Sequence, residues 1–147
     1  MVFVCKICER CPKSHSLFKF EETIDRIIYY TRPSDAKDNN IEGILYHYDG
    51  VLGDTKDKNW VWVLDLKGYG IKQMLEIQNT IQIVNLIKEK YSKNLQKIIV
   101  INTNSYTGKI YKIIKPFLNK RMQSMLFFSQ ENLEKTNASS DCLQMQI

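Results

Sequence analysis

The most regular stretch of this chain runs from Trp60 to Leu118. Trp60–Leu66, WVWVLDL, is almost continuously apolar, the pattern of a strand covered on both faces. Lys97–Ile101, KIIVI, has the same character. Between them, Ile71–Tyr91 places Met74, Ile77, Ile81, Val84 and Ile87 at helical steps, with Leu75, Ile83 and Leu86 widening the stripe. That spacing predicts a long amphipathic helix. Lys67-Gly68-Tyr69-Gly70 turns the chain between strand and helix, and Asn102–Gly108 is a second polar turn. Ile110, Ile113, Ile114, Phe117 and Leu118 then share one face of a second helix, and Lys109, Lys112 and Lys115 occupy the other. Pro116 lacks a backbone donor and crowds the turn before it, so this helix kinks or ends there. Ser124–Ser129, SMLFFS, reads as a final strand.

The flanks are less regular. Leu17–Thr31 reads as a short helix, with Phe20, Ile24, Ile27 and Ile28 at three- and four-residue steps and Glu21 and Glu22 near its start. Arg32-Pro33 stops it, and Ser34–Asn40 is a polar loop. Ile44–Tyr48, ILYHY, is rich in aromatic and branched residues and predicts a strand, in which His47 is a packed or surface histidine rather than a ligand. Gln130–Ile147 reads as surface helix or tail. Strand, helix, strand, helix, strand predicts an α/β fold with a mixed, largely parallel sheet flanked by helices and right-handed crossovers. One domain accounts for the chain: a 1–43 extension, a 44–129 core and a 130–147 tail.

Composition narrows the function classes. At 44% apolar and 25% charged the chain is ordinary for a globular domain. Its charge of +5 favours acidic partners such as phospholipid surfaces. No recognition motif accompanies the lysines, so no nucleic-acid partner is expected. The first residues, MVFVCKICERC, lack the basic start and sustained apolar run of a signal peptide, and no run approaches the ~18 apolar residues of a membrane span. The expected location is therefore cytoplasmic, where the four cysteines are thiols or metal ligands rather than disulfides. Cys5, Cys8 and Cys11 are spaced C-x2-C-x2-C, and His15 follows. Thiolates and an imidazole suit a tetrahedral Cys3His zinc site; an iron–sulfur run has similar spacing. The competing reading buries Cys5 and Cys8 as small hydrophobes beside Val2, Val4 and Ile7. No cofactor is expected apart from zinc at Cys5, Cys8, Cys11 and His15 should that set bind metal.

Enzyme signatures fail on inspection. Gly68-Tyr69-Gly70 opens a helix, but Gln73 stands where a dinucleotide fingerprint needs its third glycine. Gly50–Lys56 lacks the Gly-Lys-Ser/Thr of a phosphate loop. No G-x-S-x-G elbow is present, and Ser105 and Ser124 have no recognisable base. Asp65 reads as a turn-capping carboxylate. The chain is not expected to be an enzyme.

The order of these pieces resembles the CRAL-TRIO lipid-binding domain. The matching features are a strand ending in D-x-x-G (Asp65, Gly68), a helix closing on Tyr91–Asn94, a strand ending in Ile101-Asn102, and a helix closing on Lys115–Leu118. The resemblance covers about Ile44–Ser129 and implies a sheet forming the floor of an apolar pocket. It implies a gate helix at Tyr106–Leu118, whose Tyr106, Ile110, Ile113, Ile114 and Phe117 face a lipid or other small hydrophobic molecule. Lys109, Lys112 and Lys115 then face a membrane or headgroup. Two departures stand out. Lys93 and Met125 occupy the places where phosphatidylinositol-exchanging members carry a glutamate and a lysine, and the N-terminal helical lobe of the family is missing. The resemblance implies binding and transfer of a lipid or small hydrophobic ligand; the alternative is a protein-interaction module with a closed pocket.

Overall fold

The computed structural model describes residues 3–10 and 15–129. A five-stranded sheet organises it, its strands lying side by side in chain order. β1 (Phe18–Glu22) is antiparallel to β2 (Arg26–Thr31). β2, β3 (Asn59–Asp65), β4 (Leu95–Ile101) and β5 (Leu126–Phe128) are mutually parallel. The mixed, largely parallel sheet matches the sequence reading.

Strands added in a single direction, each by a right-handed crossover, place every connecting helix on the same face. The helices are α2 (Ile41–Gly53), α3 (Ile71–Leu75), α4 (Ile77–Lys90), α5 (Thr107–Ile114) and α6 (Lys120–Met125), after a short N-terminal α1 (Lys6–Arg10). Side-chain alternation sorts the core accordingly. Tyr29, Trp60, Trp62, Ile98 and Val100 pack with Ile44 and Tyr48 of α2, Val84 and Ile87 of α4, and Ile110 and Ile114 of α5. Ile28, Tyr30, Val61, Val63, Ile99 and Ile101 form a second buried cluster on the opposite face.

Two expectations are corrected. Leu17–Thr31 is not a helix but the β1–β2 hairpin. Thr23 builds its turn, its Oγ1 accepting from the backbone N–H groups of Asp25 and Arg26 at 3.3 Å each. Ile24, placed on the expected apolar stripe, is 92% exposed at that turn. Ile27–Thr31 is buried throughout, as a strand paired on both edges requires. Ile44–Tyr48 is not a strand but the middle of α2. The Asn40 side chain caps that helix by accepting from the Gly43 N–H at 2.9 Å. Ile44, His47, Tyr48 and Leu52 are its buried residues, at a helical period. Elsewhere the expected helix over Ile71–Tyr91 breaks at Glu76, leaving Ile71 and Leu75 on the surface. The segment 1–43 thus contributes two of the sheet's strands. The tail reading for Gln130–Ile147 lies outside the described residues.

Candidate ligand cavity and its surroundings

A cavity of about 140 Å³ lies between the sheet and the helices. Trp62, Leu64, Ile98, Val100, Leu126 and Phe128 form its floor. Thr80, Ile83 and Val84 of α4 wall it, and Ile110, Tyr111 and Ile114 of α5 cover it. Ile44 and Tyr48 of α2 line it as well, with His15 and Asp38. Burial pushes Tyr48 up to about 12, and burial with the nearby Glu76 pushes Tyr69 up to about 12, so these two phenols of the lining are neutral at ordinary pH. Among the described residues, the lining holds the carboxylates Asp38 and Glu76 and no lysine or arginine. Such a lining favours an uncharged apolar guest over an anion.

The entry to α5 is set by a polar network at the strand ends. Asp65 is buried and its carboxylate gathers five donors. Arg32 donates through Nε at 3.0 Å and Nη2 at 2.8 Å. Asn102 Nδ2 donates at 2.8 Å and the Lys67 N–H at 2.9 Å, and the Tyr30 hydroxyl completes the set. Burial works against the charged form, but these donors outweigh it and hold the carboxyl below its ordinary value. Asn102 sits at φ 53°, where Asn is one of the few residues tolerated. Gly68, at φ 76°, passes so close to Ser34 that a Cβ there would lie 2.9 Å from Ser34 Oγ. The D-x-x-G and I-N signatures therefore meet in space as one strand-end lock. Just beyond, Asn104 Nδ2 donates to the Leu66 carbonyl at 3.1 Å while its Oδ1 accepts from the Tyr106 N–H at 2.8 Å, tying the start of α5 to the turn after β3. α5 lies against the sheet, with Ile110 and Ile114 in the main core and the Tyr111 ring edgewise on Phe128 of β5 at 5.6 Å.

The residues singled out from sequence distribute as follows. Ile110 and Ile114 are buried and line the cavity. Ile113 is 37% exposed. Phe117 is half-buried against the main core, and Tyr106 packs its ring 6.1 Å from that of Tyr69. Lys109, Lys112 and Lys115 are exposed, with Lys109 over the Tyr106 ring and Lys115 over the Tyr111 ring, each at 5.8 Å. Lys93 lies in a 3-10 turn where its carbonyl accepts from Arg121 at 3.1 Å, and Met125 packs against the core. Neither residue lines the cavity.

Cys5 and Cys8 lie against His15, which lines the cavity. Cys5, Cys8 and His15 come together as their spacing suggested; Cys11 is outside the described residues. The reading of His47 as a plain packing residue is incomplete, because it joins this cluster. It comes from α2, thirty-two positions from His15, and no short motif could have paired them. Burial pushes the His47 imidazole down, towards its neutral form.

A largely parallel sheet with its crossover helices on one face, and an apolar cavity between, defines the class of α/β domain. The family model of the CRAL/TRIO domain matches residues 14–144, and the chain belongs to this family. The crystal structure of Sfh5 superposes with a TM-score of 0.62 at 15% identity, covering 76% of this chain and 47% of Sfh5. This chain thus spans about half the length of that structural relative. No curated protein matches the sequence. CRAL-TRIO proteins in general bind or transfer lipids and other small hydrophobic molecules. No helix among the described residues is long and apolar enough to cross a membrane.

Proposed function

We propose that this chain binds one uncharged hydrophobic molecule of lipid type in the cavity beneath α5, and that α5 is the gate through which it passes. The observation that carries the reading is the placement of Ile110 and Ile114, which turn the apolar face of α5 onto a cavity that opens within the main core. A dry cavity of roughly 150 Å³ accommodates a benzene-sized group. The space available here, about 140 Å³, thus suits a small apolar molecule or part of an acyl chain, and a diacyl lipid enters only if α5 moves. Lys109, Lys112 and Lys115 point outward, where they suit peripheral contact with an anionic cytoplasmic leaflet.

Organic extraction of the purified full chain, followed by mass spectrometry, should recover a neutral hydrophobic molecule. Uptake of a fluorescent fatty acid or neutral lipid from liposomes should be lost in Ile110→Trp, which fills the cavity, while the fold persists by circular dichroism. No extractable ligand and no uptake by the wild-type chain would refute the proposal. The competing reading, a protein-interaction module, draws on Ile71 and Leu75, 63% and 79% exposed on α3. It expects a stable co-purifying partner and no ligand.

A further inference from the structure

We propose that Cys5, Cys8, His15 and His47 form a tetrahedral zinc site that fastens the N-terminal segment to α2 beside the cavity. The four ligand atoms lie within 4.8 Å of one another. With Zn–S about 2.3 Å and Zn–N about 2.0–2.1 Å, a tetrahedral ion holds sulfur and nitrogen about 3.6 Å apart. The separations here are 3.5 Å from Cys5 Sγ to His15 Nδ1, 3.6 Å from Cys8 Sγ to His15 Nδ1, and 3.8 Å from Cys8 Sγ to His47 Nδ1. These three of the six edges match a tetrahedron sized for zinc, and the other three lie within 4.8 Å, close enough for small side-chain shifts to close the set.

The outer partners orient both rings for the same task. His15 Nε2 lies 2.9 Å from the Asp38 carboxylate, and His47 Nε2 lies 2.9 Å from the Leu17 carbonyl. Both partners are acceptors, so each Nε2 carries the proton and each Nδ1 turns its lone pair towards the sulfurs. A carboxylate or a carbonyl behind each histidine is the usual support of a metal-bound imidazole. Two thiolates and two imidazoles select zinc among common divalent ions. Binding releases two thiol protons, and two thiolates with Zn²⁺ make a neutral centre, which suits burial. Cys5, His15 and His47 are buried and Cys8 is half-buried, so four protein ligands fill the coordination sphere and the site is structural.

The surroundings explain why a fastening belongs here. α1 is a five-residue helix with no buried residue and has no core to hold it. The preceding residues lie on α2, where the Phe3 N–H donates to Asp54 Oδ2 at 2.8 Å. The Phe3 ring stacks edgewise on Tyr46 at 5.4 Å and covers Gly50, where a Cβ would sit 2.2 Å from the ring. Because His15 and Asp38 also line the cavity, the metal would stiffen one end of the ligand space.

The test uses the full chain purified from zinc-supplemented culture without chelator. Elemental analysis should find about one zinc per chain, falling about tenfold or more in Cys5→Ser/Cys8→Ser and in His47→Gln. Cys11→Ser should keep its zinc. Wild-type chain loaded with Co²⁺ should show the visible bands of a tetrahedral ion and the charge-transfer absorption of two thiolates, which reads the site even where a ligand variant folds poorly. Wild-type chain without stoichiometric zinc and without that cobalt spectrum overturns the proposal. So does loss of zinc in Cys11→Ser with retention in His47→Gln, which would restore a Cys3His set. Neither result depends on whether the cavity takes a lipid.

Discussion

Asp65→Ala tests whether the strand-end network holds the fold together or merely decorates it. The substitution removes the acceptor for Arg32, Asn102, the Lys67 N–H and the Tyr30 hydroxyl together. Breaking a buried ion pair by deleting one partner costs about 3–5 kcal/mol, because the other charge stays behind without compensation. The Arg32 side chain is 26% exposed, so water reaches part of the guanidinium and relieves the upper end of that range. A loss of roughly 3–4 kcal/mol follows, and at about 2–4 °C per kcal/mol for a chain of this size the melting temperature should fall by about 6–16 °C. Thermal unfolding followed by circular dichroism measures it. The double variant Asp65→Ala/Arg32→Ala should cost clearly less than the sum of the two single changes, since no charge is then stranded.

The pH dependence supplies a second readout of the same network. The Asp65 carboxyl is held below its ordinary value, so the folded chain binds fewer protons than the unfolded chain at acid pH. Its contribution is complete above the unfolded-chain value of about 3.9 and is lost as pH falls through the lower folded value. Asp65→Ala should therefore narrow the gap to wild type in strong acid. A melting temperature within about 2 °C of wild type at neutral pH, or a gap unchanged by acid, would refute the reasoning.

Other outcomes follow from the same geometry. Replacing Lys109, Lys112 and Lys115 together by Gln should weaken binding to anionic vesicles about 100-fold at low salt, at ~1 kcal/mol per lysine near such a surface, and leave binding to neutral vesicles unchanged; co-sedimentation reads this. Gly68→Ala forces a side chain into the left-handed region and against Ser34, and denaturant titration should show a loss of about 1 kcal/mol or more. Gly50→Ala should displace the Phe3 ring and raise amide exchange in residues 3–10 while leaving the sheet protected; unchanged exchange there would count against the docking of that segment.

Elements whose pattern admits one period were recovered from the residues. WVWVLDL and KIIVI form β3 and β4 because a nearly unbroken apolar run fits a strand covered on both faces. The stripe Ile81, Val84, Ile87 forms the buried side of α4 for the same kind of reason. Ambiguity entered where runs were short. Ile24, Ile27 and Ile28 satisfy a helical spacing, yet parallel pairing of Ile27 with Trp60 and Ile28 with Val61 makes the latter two strand and leaves Ile24 in the turn. That partner lies some thirty residues away, beyond any local window. ILYHY has strand-like composition, but Asn40 caps a helix before it, and the period of Ile44, His47, Tyr48 and Leu52 was there to be read.

Cavity and cluster divide along the same line. An amphipathic α5 with Ile110 and Ile114 inward and three lysines outward is a local property, because helical geometry alone assigns the faces. Whether that inward face meets a void or a packed neighbour depends on how α2, α4 and the sheet space themselves, and no local pattern encodes a volume. Likewise Cys5, Cys8 and His15 are close enough in the chain for their spacing to suggest a shared ligand. His47 reaches them only because α2 folds back across the N-terminal segment, and Asp65 finds Asn102 only because β3 and β4 pair. Short-range periodicity is written residue by residue, whereas the meeting of distant side chains is a product of chain topology and strand pairing.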